Sequence, residues 1–200
     1  MPVIFAWSGG KDSALALAEV LSSGRDQVVG LLTTVTAGHD RISMHGVRRT
    51  LLHRQAEALG LPLREVLISP QSSNEEYEAK MGAALADLTA AAPAVDGVVF
   101  GDLFLEDIRA YRERMLARVG MRGLFPLWHR DTARLAGEFV RRGYKAILAC
   151  VDSRAVQRVR QPRRVARVSN TGVAARPDPA SRRGITLSAA ATRSSSALRA

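Results

Sequence analysis

The chain has 200 residues, 46% of them hydrophobic, and a formal net charge of +10. This length fits one domain with at most an appendage, and no apolar run reaches the roughly 18 residues that a membrane span needs. The single cysteine, Cys150, excludes an internal disulfide and a Cys-x-x-Cys metal or redox pair. Since no export signal is visible, we expect a cytoplasmic protein.

Apolar runs alternate with helical patterns along most of the chain. Predicted strands lie at 3–7, 28–35, 63–68, 95–100 and 145–151, and the apolar connection 123–128 is a candidate short strand. Predicted helices lie at 12–21, 47–59, 74–91, 105–119 and 131–140. The second strand is apolar without alternation, which indicates burial on both faces. The pattern predicts an α/β fold with a doubly wound, five-stranded, mainly parallel, Rossmann-like sheet.

Residues 8–13, between the first strand and the first helix, read Ser-Gly-Gly-Lys-Asp-Ser. Adjacent glycines permit a tight turn and close approach of a ligand, and a helix N-terminus attracts anions. An ordinary tight turn is the alternative, but the two hydroxyls and Lys11 favour a phosphate site. Asp12 beside a phosphate is explained if a metal ion bridges them, or if it caps backbone N–H groups. The predicted binding residues are Ser8, Gly9, Gly10, Lys11, Asp12 and Ser13.

Two further strand ends are expected beside this loop. Thr33 and Thr34 lie near the end of the second predicted strand, and Gly101 and Asp102 follow the fourth. Because ligands of doubly wound sheets bind at the carboxyl ends of the strands, these residues should meet around one nucleotide.

A second block of charged residues follows Asp102. On a helix, Glu106, Arg109 and Glu113 share a face, with Arg112 at its edge. From the spacing alone, a solvated face with ordinary Glu–Arg pairs is the favoured explanation. The position of the block, between a strand-end Gly-Asp and Pro-Leu-Trp at 126–128, favours a site.

Together the two blocks resemble a known family. The loop resembles the PP-loop of ATP pyrophosphatases, which cleave ATP to AMP and pyrophosphate. With the second block and Pro-Leu-Trp, residues 2–155 resemble the diphthine–ammonia ligase family, and the region around His45 resembles a family segment that precedes Ala-x-x-Leu-Gly-x-Pro. The matching positions in the second block are Gly101, Asp102, Glu106, Arg109, Glu113, Pro126, Leu127 and Trp128.

The resemblance implies ATP-dependent amide formation. A carboxylate would attack the α-phosphate of ATP, and ammonia or an amine would then displace AMP. The loop would hold ATP and the departing pyrophosphate, with Mg²⁺ at Asp12. Arg109 and Arg112 are candidates to hold the substrate carboxylate, and Glu113 to orient an arginine or accept a proton. His45, Glu106 and Trp128 are further candidate substrate contacts, although packing explains Trp128 equally well.

The composition changes after about residue 155. Residues 151–200 contain 11 arginines and two aspartates, so they carry +9 of the net charge, and they lack glutamate, lysine and aromatic residues. We therefore predict an ATP-binding domain over 1–155 and a disordered basic tail over 156–200. A frameshift, an RNA-binding arm and a folded extra element remain open as explanations. The family continues with a Gly-Glu-x-Gly-Glu segment that is missing here, which implies an incomplete active site.

Two other functions compete with the ligase. A tRNA-modifying PP-loop enzyme would adenylate a base and use the basic tail to hold RNA. A non-catalytic module would bind ATP without turnover. No His-x-x-x-His or Cys/His cluster occurs, so a transition-metal site is not expected.

Overall fold

The computed structural model describes residues 1–43, 47–148 and 189–192. Strands and helices alternate along the chain up to the sixth strand. The elements are β1 (Pro2–Ala6), α1 (Lys11–Ser23), β2 (Gln27–Thr36), α2 (Arg49–Leu59), β3 (Leu63–Ile68), α3 (Asn74–Ala91), β4 (Gly97–Val99), α4 (Glu106–Ala117), β5 (Arg122–Leu124), α5 (Thr132–Arg141), β6 (Lys145–Leu148) and β7 (Ala189–Thr192).

Five strands form one parallel sheet in the order β3-β2-β1-β4-β5. The chain builds outward from β1 to β3 and then returns to form β4 and β5 on the other side of β1. The winding therefore reverses between β1 and β4, which confirms the predicted doubly wound α/β fold. In such sheets ligands bind at the carboxyl ends of the strands beside this switch point.

The sheet separates two apolar cores. Val3 and Phe5 of β1 pack on one face with residues of α1, α2 and α5. Ile4, between them in sequence, points to the other face, where Val98 and residues of α3 and α4 complete the second core. Burial on both faces explains why the central strands are continuously apolar.

The fifth strand of the sheet is β5, which overlaps the candidate short strand at 123–128, and not the predicted strand at 145–151. The apolar run at 145–151 was the expected strand, but the sheet ends with β5, which pairs with β4. Gly97 permits this pairing, because a Cβ there would lie 2.8 Å from Cδ1 of Leu124. With that edge occupied, β6 pairs antiparallel with β7 in a separate two-stranded sheet. β7 comes from the tail, where the sequence predicts no regular structure.

Candidate functional site

The Ser-Gly-Gly-Lys-Asp-Ser loop joins β1 to α1 at the switch point. Gly9 has a φ of +70°, a conformation that favours glycine, and Gly10 is the extended residue before the helix. The Ser8 and Ser13 hydroxyls lie 2.6 Å apart, and the Ser8 N–H donates to Ser13 Oγ at 3.3 Å. These contacts close the loop onto the first turn of α1.

The first turn of α1 offers donors for an anion. Helical bonding begins with the Ala14 N–H, which donates to the Gly10 carbonyl at 3.0 Å, so the N–H groups before it have no carbonyl partner within the helix. The residue before the helix, Gly10, provides no side-chain cap for this end. Unpaired N–H groups and the positive end of the helix dipole together suit a phosphate.

The two charged residues of the loop contact each other. The ammonium group of Lys11 donates to the carboxylate of Asp12, and Lys11 is only 8% exposed. This contact uses one oxygen of the Asp12 carboxylate, and both the metal-binding and the capping role of Asp12 stay predictions. The Asp12 side chain remains 33% exposed at the mouth of the loop.

A magnesium ion at Asp12 is consistent with this arrangement. Within the described ranges no group of three or more His, Cys, Asp or Glu side chains could hold a metal ion by itself. Mg²⁺ at nucleotide sites needs no such cluster, because one or two carboxylates bind it together with substrate phosphates. The Asp12 carboxylate belongs to the Ser-Gly-Gly-Lys-Asp-Ser loop, called the phosphate loop below, and it fits a site of that kind.

Gln55 of α2 holds the loop from the core side and is absent from the predicted site residues. It is 5% exposed, its Nε2 donates to the Gly9 carbonyl at 3.3 Å, and its Oε1 accepts from Trp7 Nε1 at 3.0 Å. The signal in the sequence was its spacing. Gln55 stands between the buried residues Leu52 and Ala56 on the core-facing side of α2, where a polar side chain needs a partner.

Gly101 brings the second block of residues to the loop. A Cβ on Gly101 would lie 3.0 Å from the Ser13 backbone N and 3.1 Å from the Asp12 carbonyl carbon. The chain leaving β4 thus passes directly against the first turn of α1, as predicted from the strand order. Asp102 is the next residue, so it too lies beside the phosphate loop.

Asp102 forms an ion pair with Arg112 of α4. Arg112 Nε lies 3.0 Å from Asp102 Oδ2, and its Nη2 lies 3.4 Å from Oδ1. The guanidinium carbon also lies 4.2 Å from the ring centre of Phe100. Burial raises the pKa of the neighbouring Tyr77 hydroxyl, with Arg112 opposing and Asp102 reinforcing the shift. Arg112 is therefore engaged in orienting Asp102.

Arg109, one turn earlier on α4, packs against two adjacent aromatic rings. Its guanidinium carbon is 4.8 Å from the ring centre of Phe125 and 4.8 Å from that of Trp128. Its Nε donates to Glu113 Oε1 at 2.8 Å, whereas its Nη atoms form no hydrogen bond with the described residues. The predicted pairing of Arg109 with Glu113 is thus present, and it leaves the outer edge of the guanidinium available.

Glu106 does not join this pair, although it lies on the same helix. Its Oε1 lies 3.3 Å from Nε2 of His129, and both side chains are exposed. His129 has a φ of +59° and stacks on Trp128, with ring centres 5.2 Å apart. The Pro-Leu-Trp turn therefore buries Leu127 completely and places Trp128 against Arg109.

The remaining predicted site residues are less informative. Thr33 is 5% exposed. Residues 37–43 fold back over the end of β2, and the Thr34 carbonyl there accepts a hydrogen bond from the Ser43 N–H at 2.9 Å. Nucleotide binding by these threonines stays a prediction. His45 and Cys150 lie outside the described residues, as does the predicted tail apart from β7.

None of the helices in the described part of the chain is long and apolar enough to cross a membrane. Comparison with curated proteins gives no match for the chain. A family model, that of the diphthamide synthase N-terminal domain, matches residues 1–123. The matched region contains the phosphate loop, Gln55 and the charged face of α4, and it ends before the Pro-Leu-Trp turn. The chain therefore belongs to the diphthamide synthase N-terminal domain family, whose PP-loop fits ATP binding.

Proposed function

We propose that the protein uses ATP to activate a carboxylate as an acyl-adenylate and converts it to an amide with ammonia or an amine. One observation carries this proposal. The close contact of Gly101 with the first turn of α1 joins the phosphate loop to the Asp102–Arg112 pair and the Arg109 face. A phosphate site and a carboxylate-binding site would then share one edge of the sheet.

The loop would bind ATP through its phosphates. The N–H groups at the start of α1 and the Ser8 and Ser13 hydroxyls are the donors for the departing pyrophosphate, and Lys11 adds a positive charge. Asp12 would hold Mg²⁺, which supplies further charge to stabilise the leaving group when bound. Thr33 and Thr34 remain candidates for the nucleoside end.

Arg109 is our candidate for the residue that binds the carboxylate of the substrate. Its Nε is engaged by Glu113 and its plane is held by Phe125 and Trp128, while the Nη edge is available for a bidentate contact. Arg112 differs, because it already binds Asp102. We therefore assign Arg112 to positioning Asp102 beside the loop.

The reaction balances as two displacements. An acceptor carboxylate oxygen bonds to the α-phosphorus, the bond from that phosphorus to the bridging oxygen breaks, and pyrophosphate leaves. The nitrogen of ammonia or an amine then bonds to the acyl carbon, AMP leaves, and the nitrogen gives up a proton. Glu113 is a candidate acceptor for that proton, and Glu106, His45 and Trp128 are candidate contacts for the substrate.

Product analysis tests the proposal. The protein is incubated with ATP, Mg²⁺, ammonium and a diphthine-bearing translation factor, and nucleotides are separated chromatographically. We expect AMP and pyrophosphate from the wild type and neither from Asp12→Ala or Ser13→Ala. Ser23→Ala, at the other end of α1, is the matched control and should behave as wild type. Circular dichroism verifies folding.

Other product patterns would favour other functions. ADP and phosphate would contradict adenylation. AMP formed only when tRNA is added would favour the tRNA-modifying alternative, with the basic tail as the RNA arm. ATP binding without any cleavage would identify a catalytically incomplete ATP-binding domain.

A further inference from the structure

Gln55 connects the core of the protein to the phosphate loop through hydrogen bonds to Trp7 and to Gly9. The indole of Trp7 has a single polar group, a donor, so the oxygen of the Gln55 amide must face it. The amide nitrogen is thereby directed at the Gly9 carbonyl, 3.3 Å away. Trp7 thus fixes the orientation of the Gln55 amide, with its oxygen toward the indole and its nitrogen toward Gly9.

The Gly9 peptide is the part of the loop that must hold an uncommon conformation. Its φ is +70°, and a Cβ on Gly9 would lie 2.7 Å from Gln55 Oε1. A hydrogen bond that captures its carbonyl on the core side favours this conformation over others that a glycine can adopt. The bond thereby holds the peptide that immediately precedes the N–H groups at the start of α1.

We infer that Gln55 is a positioning residue that sets the phosphate affinity of the loop, with Trp7 orienting its amide. The inference rests on the proposed phosphate-binding role of the loop and adds a residue that touches no phosphate itself. Donors fixed before binding cost no reorganisation when the anion arrives. Removing the Gln55 amide should therefore weaken phosphate binding more than nucleoside binding.

Equilibrium dialysis of the full chain with inorganic pyrophosphate, ATP and adenosine tests this inference. Gln55→Leu should weaken pyrophosphate and ATP binding by about tenfold, the effect of losing about one hydrogen bond to a charged group, with adenosine affinity unchanged. Gln27→Leu is the matched control, because Gln27 is exposed at the opposite end of the sheet. It should bind all three probes as the wild type does.

Gln55→Glu provides a second readout, because its hydrogen bond to the Gly9 carbonyl depends on pH. A carboxyl group can donate to the Gly9 carbonyl only while it is protonated. The pyrophosphate affinity of Gln55→Glu, divided by that of the wild type at each pH, should therefore rise as the pH falls. If Gln55→Leu fails to fold, Gln55→Glu alone still tests the inference.

The outcomes are separable. Unchanged pyrophosphate affinity in folded Gln55→Leu, or a ratio for Gln55→Glu that does not vary with pH, overturns the role of Gln55 and leaves the proposed function intact. An equal loss of adenosine and pyrophosphate affinity also overturns it, since the site would then be damaged as a whole. If the wild type binds neither pyrophosphate nor ATP, the phosphate site itself is wrong and both proposals fail.

Discussion

Gly101→Ala places a methyl group where the structure leaves no room. The new Cβ would lie 3.0 Å from the Ser13 backbone N, 3.1 Å from the Asp12 carbonyl carbon and 3.2 Å from the Ser13 Cα. All three atoms belong to the backbone at the start of α1, so no side chain can swing aside to relieve the contact. The first turn of α1 and the chain leaving β4 must separate by several tenths of an ångström.

The size of the effect follows from that displacement. Overpacking in a rigid region costs about 1–3 kcal/mol in the free energy of unfolding. The loop donors shift with the turn, and losing about one charge-assisted hydrogen bond costs about 1.5–3 kcal/mol of binding free energy. An ATP dissociation constant about ten- to a hundredfold higher is therefore expected.

Thermal denaturation and ATP titration by calorimetry measure the two quantities. Gly82→Ala is the matched control, because a Cβ at Gly82 meets nothing within 4 Å and the residue lies within α3. It should raise stability by up to about 1 kcal/mol and leave ATP affinity unchanged. Wild-type stability and ATP affinity in Gly101→Ala would refute the close contact between β4 and the loop.

Three further changes test other parts of the structure. Arg109→Lys removes the planar group that packs against Phe125 and Trp128. We expect the KM for the carboxylate substrate to rise about tenfold in steady-state kinetics, with ATP affinity unchanged. Leu127→Ala should lower the free energy of unfolding by about 2–5 kcal/mol in urea denaturation, because Leu127 is fully buried. Arg49 lowers the pKa of Glu65. The stabilisation that the Glu65 carboxylate provides is fully present above its ordinary pKa, and it is lost as the pH falls through the lowered pKa. Because glutamine has no group to protonate, the melting temperature of Glu65→Gln should decline less steeply than that of the wild type below about pH 4.

Each of these three has a result that would contradict it. An unchanged acceptor KM in Arg109→Lys would remove that residue from the acceptor site. A loss of stability below about 1 kcal/mol in Leu127→Ala would contradict its tight packing. A decline in melting temperature for Glu65→Gln as steep as in the wild type would mean that other groups govern acid stability.

Local patterns were sufficient to predict most of the fold. The position of β3, Leu63–Ile68, and that of α3, Asn74–Ala91, are as predicted, because each is a long periodic or apolar segment with clear ends. β5 was harder, because a strand of three residues carries little pattern and its place depends on Gly97 of another strand. β6 begins where a strand was predicted, but its pairing could not be predicted, because its partner is distant in sequence and lies in the tail.

The candidate site, like the fold, was predictable from the sequence only in part. Residues of the Ser-Gly-Gly-Lys-Asp-Ser loop form a contiguous motif, so the sequence alone is enough to propose them as a phosphate site. The contribution of Gln55 was not predicted, because it depends on a contact between α2 and a loop 46 residues away. The choice between Arg109 and Arg112 also needed the structure, since spacing on α4 cannot show that Asp102 already binds Arg112.

The central claim is that the loop between β1 and α1 binds the phosphates of ATP. Competition between labelled ATP and inorganic pyrophosphate, measured by equilibrium dialysis with Mg²⁺ present, tests it most directly. We expect pyrophosphate to displace ATP completely with one-to-one stoichiometry, and Ser13→Ala to weaken both ligands together. ATP that stays bound at saturating pyrophosphate, or equal affinities in wild type and folded Ser13→Ala, would contradict the claim.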